Sequence, residues 1–321
     1  MRPSDGADAC VIALDVGGTG MKGALLDREM RAQATMRFRT PRADGPDAVL
    51  RSIADALREL RDRAGERGLT VRRAGVVVPG IVSEATARAV YSANLGWRDL
   101  PLAELLEARC GLPVTLGHDV RAGGFAEAVL GAARGVRDVL FVAIGTGIAG
   151  ALVQDGTPLS AGGHAGEIGH LVVAPDGPAC GCGNRGCLET LASAAAVAAR
   201  FTARSGREVD GARGVAQLLV RGDPDARAVW EDAAEALAVS FAAAATLLAP
   251  ELIVVGGGLA EADELLLSAV RSRLDPRLPF QRRPALVRAR LGDTAGCLGA
   301  GLYAWRAVDA GDRAGVRPGS P

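Results

Sequence analysis

Three hundred and twenty-one residues, 49% hydrophobic and 23% charged, hold more apolar matter than one core usually serves, and they exclude a disordered chain. The 37 basic residues are balanced by 37 acidic ones, so the net charge is zero and the electrostatic footprint of a nucleic-acid binder is missing. No apolar run reaches the ~18 residues of a membrane span, and the start, MRPSDGADAC, has no basic-then-apolar signal design, so a cytoplasmic protein with neither membrane nor nucleic-acid partner is expected.

In chain order, CVIALDVGGTGMKGALLD (10–27) predicts strand, glycine corner, strand, and residues 29–39 a third strand. Residues 47–63 carry Val49, Leu50, Ile53, Ala54, Leu57 and Leu60 at helical spacing. A buried strand over 74–78 stops at Pro79-Gly80, a helix covers 102–110, and a short strand at 114–117 ends on His118-Asp119. A second unit starts alike: helix 121–130, strand 139–145, a Gly-Thr-Gly corner, and a returning strand that ends at Asp155-Gly156. The repetition suggests a duplication. After a segment rich in Gly, Pro and Cys (161–187), helices are predicted over 188–204, 214–221 and 225–248. Strand 252–258, helix 260–274 and a closing helix at 295–308 follow, and the Gly/Arg/Pro tail 309–321 is expected to fray.

The scarce residues carry information. Lys22 is the single lysine among 37 cationic residues, and Asn94, His118, His164, His170 and Asn184 are all the asparagines and histidines of the chain. In Asp15-Val-Gly17-Gly18-Thr19-Gly-Met-Lys22 the glycines admit a phosphate close to backbone N–H groups, and Asp15 suits a water on Mg²⁺. This is no Walker loop, because a strand follows. A plain glycine hairpin is the alternative. Gly145-Thr146-Gly147-Ile-Ala-Gly150 matches the dinucleotide fingerprint only formally, since a strand and not a helix follows. It reads better as a second phosphate hairpin opposed to the first. Gly256-Gly257-Gly258 fits a flat base or ribose laid on backbone, or a simple strand–helix junction.

Asp119 at a strand end suits a general base, but the local sequence favours a helix N-cap. Asn94, in SANLGW, is either a ligand amide or a loop residue. His170, Cys180, Cys182 and Cys187 have the spacing of one tetrahedral Zn²⁺, and four protein ligands make that metal structural. Disulfides are disfavoured for an intracellular chain. Glu167 and Glu189 flank this loop, so a polyol would be held there. The phosphate hairpins are remote from it in sequence, so metal loss is expected to impair sugar binding before nucleotide binding.

Together, DVGGTGMK (15–22), NLGW (94–97), HDV (118–120), IGTGIAG (144–150), GHAGEIGH (163–170) and CGCGNRGCLE (180–189) resemble the ROK family (repressor, open reading frame, kinase) of the actin-like sugar kinases. The resemblance spans nearly the whole chain. It implies an α/β, two-domain actin-like/hexokinase-type (ribonuclease H-like) ATPase fold with an interdomain cleft. The smaller domain would be 1–119, closed by helix 295–308, and the larger one 120–294 with the zinc loop. It further implies an ATP- and Mg²⁺-dependent hexose kinase, with glucose the first choice of sugar because Glu167 accompanies glucose-type members, and a homodimer or homotetramer. A kinase for another hexose or an N-acetylhexosamine, or a non-catalytic sugar-sensing regulator, are the alternatives. Asp119 would be the base, and Asn94, Asp119, Glu167, His170 and Glu189 would hold sugar hydroxyls. Asp15, Gly17, Gly18, Thr19, Lys22, Gly145, Thr146, Gly147, Gly257 and Gly258 would bind ATP. His170, Cys180, Cys182 and Cys187 would bind zinc. Two departures stand out: His118 where Asn is commoner, and Ala149 where Gly is commoner. The family's sugar-responsive repressors need a DNA reader ahead of the first hairpin, and with that hairpin's strand starting near residue 10 a repressor is not expected.

Overall fold

The computed structural model describes residues 8–315. They form two compact units: the chain up to Ala126 with Ser160–His164 and the chain from Thr294 on, and Glu127–Leu159 with Ala165–Asp293.

In the first unit β1 (Ala9–Val16) is almost continuously buried, as expected of a strand covered on both faces. It pairs antiparallel with β2 (Gly20–Leu26), which pairs with the half-exposed edge strand β3 (Ala32–Arg39). Helix α1 (Pro46–Glu66) opens with proline in its first turn and buries Val49, Leu50, Ile53, Leu57 and Leu60 on one side, which its periodicity predicts. Strand β4 (Thr70–Val78) lies parallel to β1. Next comes a small antiparallel sheet of β5 (Ile81–Ser83), β6 (Arg88–Ser92) and β7 (Trp97–Leu100). The sequence reading misses this sheet, because strands of three to five residues show too few alternations to read. Helix α2 (Leu102–Cys110) ends on a left-handed Gly111, β8 (Val114–His118) pairs parallel with β4, and α3 (Asp119–Val129) follows without a loop. The sheet order is β3-β2-β1-β4-β8. Its other face is covered by the last described helix, α9 (Ala295–Gly315), which packs Ala300, Ala304, Trp305 and Val308 against Val11, Ala13, Ala24 and Val77. This helix takes in the first residues of the expected tail 309–321, and 316–321 lie outside the described residues.

The second unit repeats the plan. β9 (Val139–Ile144), β10 (Ile148–Gln154) and β11 (Thr157–Pro158) form an antiparallel meander. β12 (Leu252–Gly256) and β13 (Ala285–Arg288) add in parallel, giving the order β11-β10-β9-β12-β13. The predicted helix 188–204 is two helices, α4 (Leu188–Ala192) and α5 (Ala194–Ser205). Ser193 between them is extended, and its hydroxyl accepts the Ala196 N–H at 3.0 Å, restarting the helix as an N-cap. Helix α6 (Gly211–Val220), the long α7 (Pro224–Leu248) and α8 (Glu264–Leu274) complete the unit. Phe201, Trp230, Leu237 and Phe241 from these helices share one core with Leu140, Val142, Ile253 and Val255 of the sheet. Among the described residues no helix is long and apolar enough to cross a membrane.

Candidate active site

Parallel strands bring their carboxyl ends to one edge of a sheet, and loops there are where α/β sheets bind ligands. In the first unit the register aligns Asp15 with Val77 and Val77 with Gly117, so Asp15 and the His118-Asp119 pair stand at the same edge. The Gly17–Thr19 corner is closed by Gly17 N–H donating to Gly20 O at 2.9 Å and braced by the Thr40 hydroxyl donating to Gly17 O at 2.8 Å. Asp15 pairs in register with Lys22. Its Oδ2 lies so close to the start of α9 that a Cβ on Gly296 would come within 2.6 Å, a constraint the sequence alone does not reveal. Asn94 is exposed in the β6–β7 turn, which the buried Leu95 and Trp97 anchor.

The structure assigns the cap of α3 to His118. Its Nδ1 accepts the Arg121 N–H at 3.2 Å, whereas Asp119 is the first helical residue, its Oδ1 accepting the adjacent Val120 N–H at 2.7 Å. The helix-cap alternative for Asp119 therefore loses its main support. About a quarter of the Asp119 side chain (27%) is open to solvent, yet the surrounding protein strips its carboxyl of bulk water and pushes its pKa up to about 6. The Val120 N–H and the Arg121 guanidinium only partly offset that burial. Arg121 is itself buried: Nε donates to Glu84 Oε1 at 3.1 Å, and its Nη atoms donate to Gly163 O at 3.1 Å and Val82 O at 2.9 Å. Sequence reasoning notes His118 as a departure from the family pattern but misses its capping role, and it passes over Arg121. Their signal was there, a polar residue three positions before an arginine at the strand–helix junction.

In the second unit the corner Gly145–Gly147 is closed by Gly145 N–H donating to Gly147 O at 2.9 Å. Register aligns Ala143 with Gly256, so this corner and Gly257-Gly258 share the sheet's carboxyl edge. Gly257 has φ +82° and its Cα sits against Ile144, where a Cβ would come 2.4 Å from the carbonyl oxygen; only glycine fits. Gly258 borders a cavity of about 350 Å³ lined also by Ala212, Arg213, Trp230, Leu259 and Leu265. Its apolar walls and size suit a flat aromatic base.

The four soft donors converge. His170 Nδ1 and Cys180 Sγ are 3.6 Å apart, Cys182 and Cys187 Sγ are 3.7 Å apart, and all four donor atoms lie within 4.8 Å of one another. A disulfide needs ~2.05 Å between sulfurs, so these thiols are unpaired, and the separations are those of donors around one tetrahedral ion. His170 Nε2, the nitrogen turned away from the sulfurs, is 4.0 Å from Glu167 Oε2. Glu189 Oε2 accepts the Ile148 N–H at 2.8 Å and would sit 2.4 Å from a Cβ on Gly147. The Ala194 N–H donates to Gly145 O at 2.8 Å. The helices that follow directly on the sulfur loop are thus bonded to the glycine corner, although the two are remote in sequence.

Similarity to known proteins points the same way. The ROK family model matches residues 11–307. The chain belongs to the ROK family. This ROK protein is 32% identical to a glucokinase of Halalkalibacterium halodurans, over 92% of its own length and 94% of the relative's. It is 33% identical to an N-acetylmannosamine kinase of Salmonella typhimurium, over 91% and 97% of the two chains. Among solved structures, a ROK hexokinase of Thermus thermophilus superposes with a TM-score of 0.83 at 34% identity, covering 94% of this chain and 99% of that one. The ROK protein therefore has the actin-like/hexokinase fold.

Proposed function

We propose that this protein transfers the γ-phosphoryl group of ATP to the 6-hydroxyl of a hexose, glucose before others. The observation that carries the reading is Asp119: a partly exposed carboxyl at a sheet's carboxyl edge, with a pKa of about 6 that lets it accept a proton at neutral pH and release it again. Asp119 takes the hydroxyl proton as the sugar oxygen bonds to the γ-phosphorus and the bond to ADP breaks. In such a loose transition state alignment and charge stabilisation supply most of the catalysis.

Gly17 and Gly145 close the two corners with their own N–H groups, the N–H groups of Gly18, Thr19, Thr146 and Gly147, with Lys22, hold phosphates, and Gly257-Gly258 with the adjoining apolar cavity take the adenosine. Asp15 is the carboxylate that suits a hydrated Mg²⁺, which when bound neutralises phosphate charge. Asn94, Glu167, His170 and Glu189 hold the sugar. The N/S donor set of His170, Cys180, Cys182 and Cys187 fits Zn²⁺, whose part is to fix the loop bearing Glu167 and Glu189. A cytoplasmic homodimer or homotetramer is the expected form, and the exposed Leu171, Val172 and Leu247 are apolar surface for such an assembly to cover.

Three carboxylates, an amide and an imidazole suit a ring with free hydroxyls all round and offer no apolar seat for an acetamido methyl. The similarity to an N-acetylmannosamine kinase keeps that sugar as the second reading. The test is ADP release measured with glucose, 2-deoxyglucose, mannose, fructose, N-acetylglucosamine and N-acetylmannosamine. Glucose is expected to have the highest kcat/KM, with 2-deoxyglucose clearly poorer because a group that reads the 2-hydroxyl is left unpaired. Preference for N-acetylmannosamine replaces the sugar and keeps the reaction. Sugar-independent ADP release, or none at all, removes the kinase reading.

A further inference from the structure

The reading of Asp119 as the base leaves open which of its oxygens takes the proton and what holds the other. We propose that His118 is the positioning residue: its Nε2–H holds Asp119 Oδ1, and Oδ2 is left as the oxygen that accepts the sugar proton.

The ring's tautomer follows from the helix cap. Nδ1 accepts the Arg121 N–H, so its lone pair is engaged and the ring proton resides on Nε2. That nitrogen lies 3.3 Å from Asp119 Oδ1. The same oxygen accepts the Val120 N–H, so both described contacts of the carboxyl group fall on Oδ1. The ring has little freedom to turn. It is only 8% exposed, and the N–H that fixes it belongs to Arg121, whose guanidinium is tied to Glu84, Gly163 and Val82. Arg121 favours the ionised carboxyl and is itself paired with Glu84. Tyr303 of α9 has its phenol pushed up by burial and stays neutral, and Arg306 is stacked over the Phe125 ring at 5.0 Å. Burial is the main force holding the proton on Asp119, and a ring N–H 3.3 Å from Oδ1 would oppose it by stabilising the charged form. His118 thus does two things for a base: it keeps the carboxyl ionised at neutral pH and it selects the reacting oxygen.

Two substitutions separate this role from capping alone. His118→Ser keeps an N-cap oxygen but withdraws the donor, whereas His118→Asn keeps both a cap and an amide N–H within reach of Asp119. The measurement is the pH profile of kcat/KM and of kcat for the best sugar of the panel, on full-length enzyme with melting temperature as the control for folding. For His118→Ser the acid limb, expected near 6 in the natural enzyme from the raised pKa of Asp119, is expected to move up by about one pH unit and the plateau kcat to fall about tenfold, with sugar affinity within about twofold. His118→Asn is expected to return the limb to within about 0.3 unit of the natural value. A folded His118→Ser enzyme with an unmoved limb and a natural plateau overturns the proposal. Asp119→Asn tells that failure from failure of the base: if it is inactive while His118→Ser is natural, only the positioning role falls. If Asp119→Asn turns over normally, the base reading falls and this proposal with it.

Discussion

Burial that raises the pKa of Asp119 also costs the fold. Its carboxyl binds a proton more tightly in the folded chain, at about 6, than at its ordinary 3.8. For a group shifted upward in this way the folded state is favoured by protonation, so the penalty is absent below the ordinary value, grows through the interval, and is complete above pH 6. At pH 8 it is on the order of 1–3 kcal/mol. Asp119→Asn removes it. The variant is expected to melt higher than the natural protein at pH 8, with the difference vanishing near pH 4, while kcat drops by roughly 10²–10⁴-fold and sugar affinity holds. Calorimetry at the two pH values checks the stability half, and a lower melting temperature at pH 8 contradicts it. Arg121 gives the opposite case. Arg121→Met deletes the donors to Val82, Gly163 and Glu84 at a site 1% exposed, leaving buried acceptors unpaired, and is expected to destabilise by about 3 kcal/mol in a denaturant titration. Residue identity and spacing made the four soft donors legible in the sequence, whereas for Asp119 the local sequence favoured a helix N-cap and only the family resemblance named a base. The division of labour between His118 as cap and Asp119 as open carboxyl was not legible, because both are polar residues at one junction and only the geometry says which N–H each one takes.

At the scale of elements, the sulfur loop, α4 and the second glycine corner behave as one piece. Cys187 precedes α4 directly, Glu189 in its first turn holds Ile148 N–H, and Ala194 at the start of α5 holds Gly145 O. Cys182→Ser is therefore expected to lower metal content below one ion per chain and to raise KM for sugar and for ATP together. Elemental analysis and paired kinetics decide it: a rise in sugar KM alone means that the helices hold the corner without the metal. The elements most legible in the sequence were the long periodic ones. The face of α1 reads directly from Val49, Ile53, Leu57 and Leu60, and β1 from its unbroken apolar run. Where the pattern fails, a local bond has overridden it. Ser193 sits inside an alanine-rich stretch with high helix propensity, and its hydroxyl bond to Ala196 divides that stretch. The β5–β7 sheet carries the exposed Asn94 on a turn pinned by Leu95 and Trp97, so two apolar residues position a polar one whose partners the sequence does not name.

At the scale of the molecule, the two units are assembled from the chain in different ways. The second is nearly contiguous, Glu127–Leu159 and Ala165–Asp293, and its core closes on residues within that range. The first is discontinuous: one face of its sheet is covered by α9, whose Ala300, Ala304 and Trp305 seal Val11, Ala13 and Val77. Leaving those side chains open forfeits roughly 1.5–3 kcal/mol for each large apolar group, and a domain holds only about 5–15 kcal/mol in reserve. The second unit can thus fold as soon as its own residues are made, while the first must wait for the last helix. A chain ending at Asp293 is expected to keep the second unit folded and metal-bound and to lose the first. Hydrogen exchange reads the outcome strand by strand: amides of β9, β10 and β12 stay protected while those of β1, β4 and β8 exchange freely. Equal loss of protection in both sheets would mean that the second unit depends on the first for its stability. Equal retention would mean that α1 and α2 alone suffice to hold the first sheet, and that α9 contributes far less than the apolar surface it covers implies.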